Sequence, residues 1–249
     1  AGSPNTPGHD CIWEQWRQEG TAQGNRVREG LRDGVADALI ALGEGFLAHP
    51  SNESLRAALQ DGSLRGDAYF HQLLRLIYRF LFLFTVEERD NILHPPDESP
   101  DAIAARSIYA EGYSMRRLRD RAMRRSAYDN FDDLWQAVLI VFKGLAQGEP
   151  RLALPALGGL FAPDQCPNLD AANLSNQALL AAIRSLRWSV IDGTLSPVDY
   201  RNRGFEELGS VYESLLELVP EIDLTARRFS FVGMADESST AGNARKTTG

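Results

Sequence analysis

The chain has 249 residues, 43% of them hydrophobic and 24% charged, and a formal net charge of -8. A chain of this length makes one large domain or two small ones and buries roughly 70–75% of its unfolded surface, so a core needs no staples. The acidic balance excludes a protein that coats nucleic acid over its whole surface; any such contact has to come from a local patch.

Of the 26 basic residues only Lys143 and Lys246 are lysine, an arginine bias that a GC-rich genome explains on its own. Cys11 and Cys166 lie far apart and show no C-x-x-C spacing, so neither a disulfide framework nor a zinc site is suggested. A reducing compartment fits this cysteine usage, and a cytoplasmic location is expected. Ala1 to Asp10 lacks the apolar centre of a secretory signal. The most apolar run, Leu73 to Val86, is about six residues short of a membrane span, and Arg75 and Arg79 interrupt it. No membrane role is expected.

Taken in chain order, the segments are nearly all helical in period. Arg26 to Leu47 sets Val27, Leu31, Val35, Leu39, Leu42 and Phe46 on one apolar stripe, with Gly30, Gly34, Gly43 and Gly45 as potential breaks. A short helix covers Glu53 to Gln60 and stops at Asp61-Gly62. Asp67 is placed to cap the next helix, whose residues Tyr69 to Phe84 are apolar nearly all round; that marks an interior position. It frays into Glu87-Glu88-Arg89-Asp90, and His94-Pro95-Pro96-Asp97 is a break.

Ala102 to Arg125 reads as helix with a potential break near Gly112. Asn130 is placed to cap Phe131 to Gln147, which Gly148-Glu149-Pro150 ends. Arg151 to Ala171 is loop, and Asn176 to Trp188 is helix. Phe205 to Val219 is the cleanest amphipathic stretch, and Pro220 closes it. Leu224 to Met234 alternates like one or two short strands with Phe229 and Phe231 on one face. The expected fold is mostly α: a multi-helix, bundle-like domain over 24–224 with at most one short β-hairpin near Leu224–Met234. Segment 1–23 is expected to be peripheral or poorly ordered, and 225–249 to hold short strand and linker.

Familiar catalytic patterns fail residue by residue. A restriction-type nuclease needs a carboxylate two residues before a lysine, but Val141 precedes Lys143 and Ala244 precedes Lys246 in that way. Arg245 stands before Lys246-Thr247 where a phosphate-binding loop has glycine. His9, His49, His71 and His94 are scattered singly, and His71 reads as a hydrogen-bonded structural residue. Ser114 and Ser210 lack the G-x-S-x-G context of an esterase nucleophile. No catalytic and no metal-ligating residue is assigned.

One segment stands above this background. In Ser114 to Arg125, SMRRLRDRAMRR, six arginines (Arg116, Arg117, Arg119, Arg121, Arg124 and Arg125) accompany one acid, Asp120. A planar guanidinium donates two parallel hydrogen bonds to phosphate, so such a row suits sequence-independent contact with a DNA backbone. The alternative is a solvated face, or one paired with the acidic Phe205–Val219 helix.

Several segments resemble one family. Tyr78 to Arg89, YRFLFLFTVEER, is similar to the "YRLLFLLVAEER" helix of large bacterial restriction–modification and phage-defence DNA methyltransferases. Ile108-Tyr109, Gly112-Tyr113-Ser114, Leu118-Arg119, Asp133-Leu134-Trp135, Gly158-Gly159-Leu160-Phe161 and Tyr200-Arg201 continue the pattern. Glu206 to Leu218 resembles the family's "EELGSVYESLLEL" helix almost letter for letter, and Arg245 to Gly249 resembles the start of "RKTTGSYYTP".

The resemblance implies a helical scaffold for an adenine-N6 methyltransferase domain that follows in the same chain. That domain would bind S-adenosylmethionine and act on a base flipped out of duplex DNA. Lys246, Thr247, Thr248 and Gly249 would then stand at the edge of the cofactor pocket. The Tyr-Tyr-Thr-Pro continuation, the glycine-rich cofactor loop and the Asn-Pro-Pro-Tyr element are absent from these residues, so this segment is expected neither to bind cofactor nor to methylate by itself. The rival expectation is a freestanding helical protein–protein interaction module.

Overall fold

The apolar run of the third helix becomes the axis of the molecule. In α3 (Gly66–Glu87) most of the helix is buried, from Tyr69 and Phe70 through Leu73, Leu74, Leu76, Ile77, Phe80, Leu81, Leu83 and Phe84 to Val86, and only the stripe His71, Arg75, Tyr78 and Phe82 is half-buried. A helix without a polar face has to be covered all round. The computed structural model describes residues 12–89, 92–94, 96–191, 194–201 and 205–232.

Around α3 lie α1 (Ile12–Ala48), α2 (Glu53–Asp61), α4 (Pro100–Ile108), α5 (Met115–Arg121), α6 (Asp133–Gln147), α7 (Pro167–Asp170), α8 (Asn176–Arg187) and α9 (Phe205–Leu216). The fold is mostly α, as the periodicity predicts. It carries two antiparallel hairpins among the described residues rather than at most one. The first pairs β1 (Trp188–Ile191) with β2 (Thr194–Pro197), and the second pairs β3 (Pro220–Asp223) with β4 (Arg228–Phe231). The second is the expected one, begun four residues earlier than predicted; Phe229 and Phe231 are both buried.

The glycines of α1 mark close approach, not breaks. The helix is continuous from Ile12 to Ala48. A Cβ built on Gly34 would lie 2.6 Å from the Ser185 carbonyl oxygen, and one on Gly45 would lie 2.4 Å from the Ala178 Cβ. Without side chains there, α8 packs directly on the α1 backbone. The ring of Phe229 covers Gly43 in the same way, and the Tyr69 hydroxyl donates to the Gly43 carbonyl at 2.8 Å.

Two expected caps are corrected. Arg65 holds the N-cap of α3, while Asp67 lies inside the first turn and pairs with Arg65 at 2.7 Å. The start of α6 is served from a distance: Asn176 Oδ1 accepts from Leu134 N at 3.1 Å, and Asn130 takes no part. His71 is half-buried with its ring tilted against Phe70, and it makes no hydrogen bond among the described residues. Arg79 is wholly buried; it donates to Asp170 at 2.7 Å and to the Leu160 carbonyl at 2.9 Å, under the rings of Phe142 and Phe161. This tie joins α3 to the loop after α6.

Candidate nucleic-acid interface

The arginine segment is not one helix. After α4 the chain makes a single π-turn, Tyr109–Tyr113, and Ser114 is extended. Such turns are frequent at functional sites. Ser114 Oγ caps α5 by accepting from Arg117 N at 3.3 Å, and donates to the Ala110 carbonyl at 2.8 Å. α5 then stops at Arg121, and Arg125–Ala127 forms a separate 3-10 turn.

α5 is locked to the end of α3 by Glu87. One oxygen of its carboxylate accepts from the Tyr109 hydroxyl at 2.5 Å and from Met115 N at 2.7 Å; the other accepts from Arg116 N at 2.8 Å. Two backbone donors at the start of α5 that helix geometry leaves unpaired are satisfied here by an internal anion. Burial pushes the Glu87 carboxyl above its usual value, against the opposing pull of these three donors and of Arg119. Glu87, expected to fray at the end of α3, is therefore structural, and Asp90 lies outside the described residues.

Between α3, the π-turn and α5 lies a cleft of about 680 Å³. Arg116, Arg117, Arg121 and Arg124 line it together with Arg89 and His94. Arg116 and Arg124 are exposed, whereas Arg117 and Arg121 are half-buried. Arg117 donates to the Gly112 carbonyl at 3.0 Å. Burial, and then repulsion from Arg121, lowers the Arg117 guanidinium from its usual value. His94 Nδ1 lies 3.1 Å from the Ala153 carbonyl, and its ring stands edge-on to Tyr109.

The acids in the lining are already engaged. Glu87 is saturated as described, Glu111 accepts from Ser107 Oγ at 2.9 Å, and Asp120 pairs with Arg187 of α8 at 3.1 Å. Arg116, Arg121 and Arg124 have no carboxylate partner among the described residues. The alternative pairing of the row with the acidic stretch Phe205–Val219 is not found for Glu213 or Glu217; the side chains of Glu206 and Glu207 lie outside the described ones. Positive charge thus collects in one concave surface of a chain that is acidic overall.

Two of the six predicted arginines leave the set. Arg119 is 8% exposed, pairs with Glu88 and lies over the Phe84 ring at 5.0 Å. Its Nε is buried without a partner. It is a packing residue and cannot reach a ligand in the cleft. Arg125 is exposed but does not line the cleft.

Sequence reasoning missed Glu87, Tyr109 and His94. The signal for Arg119 was present: Met115, Leu118, Arg119 and Ala122 recur at the spacing of one helix face, and all four are buried. Lys246, Thr247, Thr248 and Gly249 lie outside the described residues. Among the described residues no group of three or more His, Cys, Asp or Glu side chains comes together, and no helix is long and apolar enough to cross a membrane. No protein-family model, no curated protein and no solved structure matches this chain.

Proposed function

We propose that this chain is the helical scaffold of a site-specific adenine-N6 DNA methyltransferase, and that its arginine cleft grips nucleic-acid phosphate. The observation that carries the phosphate reading is the cleft itself: Arg116, Arg121 and Arg124, which have no carboxylate partner among the described residues, line one surface whose acids are engaged elsewhere. The methyltransferase reading is supported by the resemblance of Glu206–Leu218 and Arg245–Gly249 to that family. On this reading S-adenosylmethionine is the cofactor of a following domain, with Lys246 to Gly249 at the edge of its pocket. The contact is independent of sequence, because guanidinium–phosphate pairs position a duplex without reading its bases.

A rival reading, a helical protein-interaction module, has one observation in its favour. Leu216, Val219 and Val232 are exposed apolar side chains, and the Val232 amide donates to the Val219 carbonyl. Salt dependence separates the two. The affinity of the 249-residue chain for a short duplex should fall linearly in log–log form with salt, and replacing the exposed Arg116 and Arg124 by Gln should lower the slope by about two. Identical slopes in both proteins would remove the phosphate reading.

A further inference from the structure

The four arginines of the cleft are not equivalent. Arg116 and Arg124 sit exposed at its rim, where a duplex can meet them. Duplex phosphates lie on a convex cylinder, which touches a rim and not a floor. Arg117 and Arg121 are half-buried within the cleft, and Arg117 is fixed by its bond to the Gly112 carbonyl. Their charges repel; Asp133, whose carboxylate accepts from Asn176, offsets this only in part at Arg117, and the acids that share the lining are turned to Tyr109 and the α5 amides, to Ser107 and to Arg187. Two like charges held partly out of water are unfavourable until an anion joins them.

The lining also limits what that anion can be attached to. Its apolar part comes from Val86 and Leu93, and the aromatic ring of Tyr109 is 2% exposed with its hydroxyl given to Glu87. The Tyr109 ring offers no open face on which a base could stack, and the other ring of the lining, His94, is half-buried and stands edge-on to it, so affinity has to come mainly from the phosphate. The volume, about 680 Å³, falls in the range of small-ligand sites.

We infer that Arg117 and Arg121 form a seat for a phosphomonoester dianion, and that its source is the terminal phosphate of a nucleic-acid strand. Two guanidiniums match the two charges of a terminal phosphate, whereas a bridging phosphodiester carries one. This deepens the reading of the cleft as a nucleic-acid contact and rests on it.

The test compares a single-stranded oligonucleotide bearing a 5′-phosphate with the same strand bearing a 5′-hydroxyl, by fluorescence anisotropy on the full 249-residue chain. Inorganic phosphate serves as competitor. The phosphorylated strand should bind about ten-fold more tightly, the scale of one charge-assisted pair of hydrogen bonds. Arg117→Gln with Arg121→Gln should abolish the difference. Arg116→Gln with Arg124→Gln should weaken both strands and keep it.

Arg121→Gln alone, which removes no hydrogen bond within the protein among the described residues, should reduce the preference and guards against a folding defect. Equal binding of the two strands by the wild type overturns the seat, and leaves the backbone reading standing if binding still falls with salt. Binding of inorganic phosphate without either oligonucleotide supports the seat and overturns the nucleic-acid source. No binding of any probe overturns both.

Discussion

The carboxylate of Glu87 receives the Tyr109 hydroxyl at 2.5 Å, and this one pair ties the end of the central helix to the π-turn that shapes the cleft. The same carboxylate holds the first amides of α5. Replacing Glu87 by Ala leaves a buried hydroxyl and two amides without partners, which costs about 1–3 kcal/mol per unsatisfied group. Urea denaturation should show a loss of at least about 1–3 kcal/mol, the cost of one such group, with weaker nucleic-acid binding because α5 loses its anchor. Unchanged stability would mean that the anchor is dispensable.

The pH dependence of that effect has a definite sign. The ordinary value for glutamate is 4.5, and burial raises Glu87 above it in the folded state. A raised carboxyl contributes stability that is fully present below its unfolded value and is lost as pH rises through the folded one. The stability of wild type relative to Glu87→Gln should therefore increase as pH falls from neutral towards about 4.5. Asp170 is raised by burial as well, so the comparison has to be made between these two proteins rather than on wild type alone.

Arg79 offers the largest single loss. Its side chain is wholly inaccessible and serves Asp170 and the Leu160 carbonyl. Arg79→Met strands both groups; breaking a buried pair from one side costs about 3–5 kcal/mol. Arg79→Lys should not rescue it, since an ammonium cannot reproduce the fork. Thermal unfolding of the two variants checks this.

The α1 glycines give a paired prediction. At Gly34 an added Cβ meets a backbone oxygen at 2.6 Å, so Gly34→Ala should destabilise by about 1–3 kcal/mol despite alanine's better helix propensity. Gly209 in α9 has open space around it, and Gly209→Ala should stabilise by about 0.5–1 kcal/mol. Equal effects from the two would contradict the close packing of α8 on α1.

Much of this architecture is legible in the sequence, and what is not has physical causes. The stripe Leu31–Val35–Leu39–Leu42–Phe46 and the largely apolar Tyr69–Val86 run specify buried helices, and the apolar residues of both are mostly buried. The β1–β2 hairpin was missed although Asp192-Gly193, a strong hairpin signal, separates its two short runs. Those runs are four residues each, too short for alternation to show. Within the cleft the charge of α5 is plain from composition. The role of Glu87 is not, because its partners Tyr109, Met115 and Arg116 lie 22 or more residues away. Which arginines face a ligand depends on the short α5 ending at Arg121, a boundary that the row of arginines conceals.

Chemical footprinting of arginines tests the central claim most directly. The chain is treated with phenylglyoxal with and without duplex DNA, and modified sites are read by mass spectrometry. Duplex DNA bearing 5′-phosphates should protect Arg116 and Arg124 at the rim and, through its terminal phosphate, Arg117 and Arg121, while the exposed Arg65 and Arg151, each already paired with an acid, keep their reactivity. Protection spread evenly over the surface, or none within the cleft, would contradict the assignment of phosphate contact to α5.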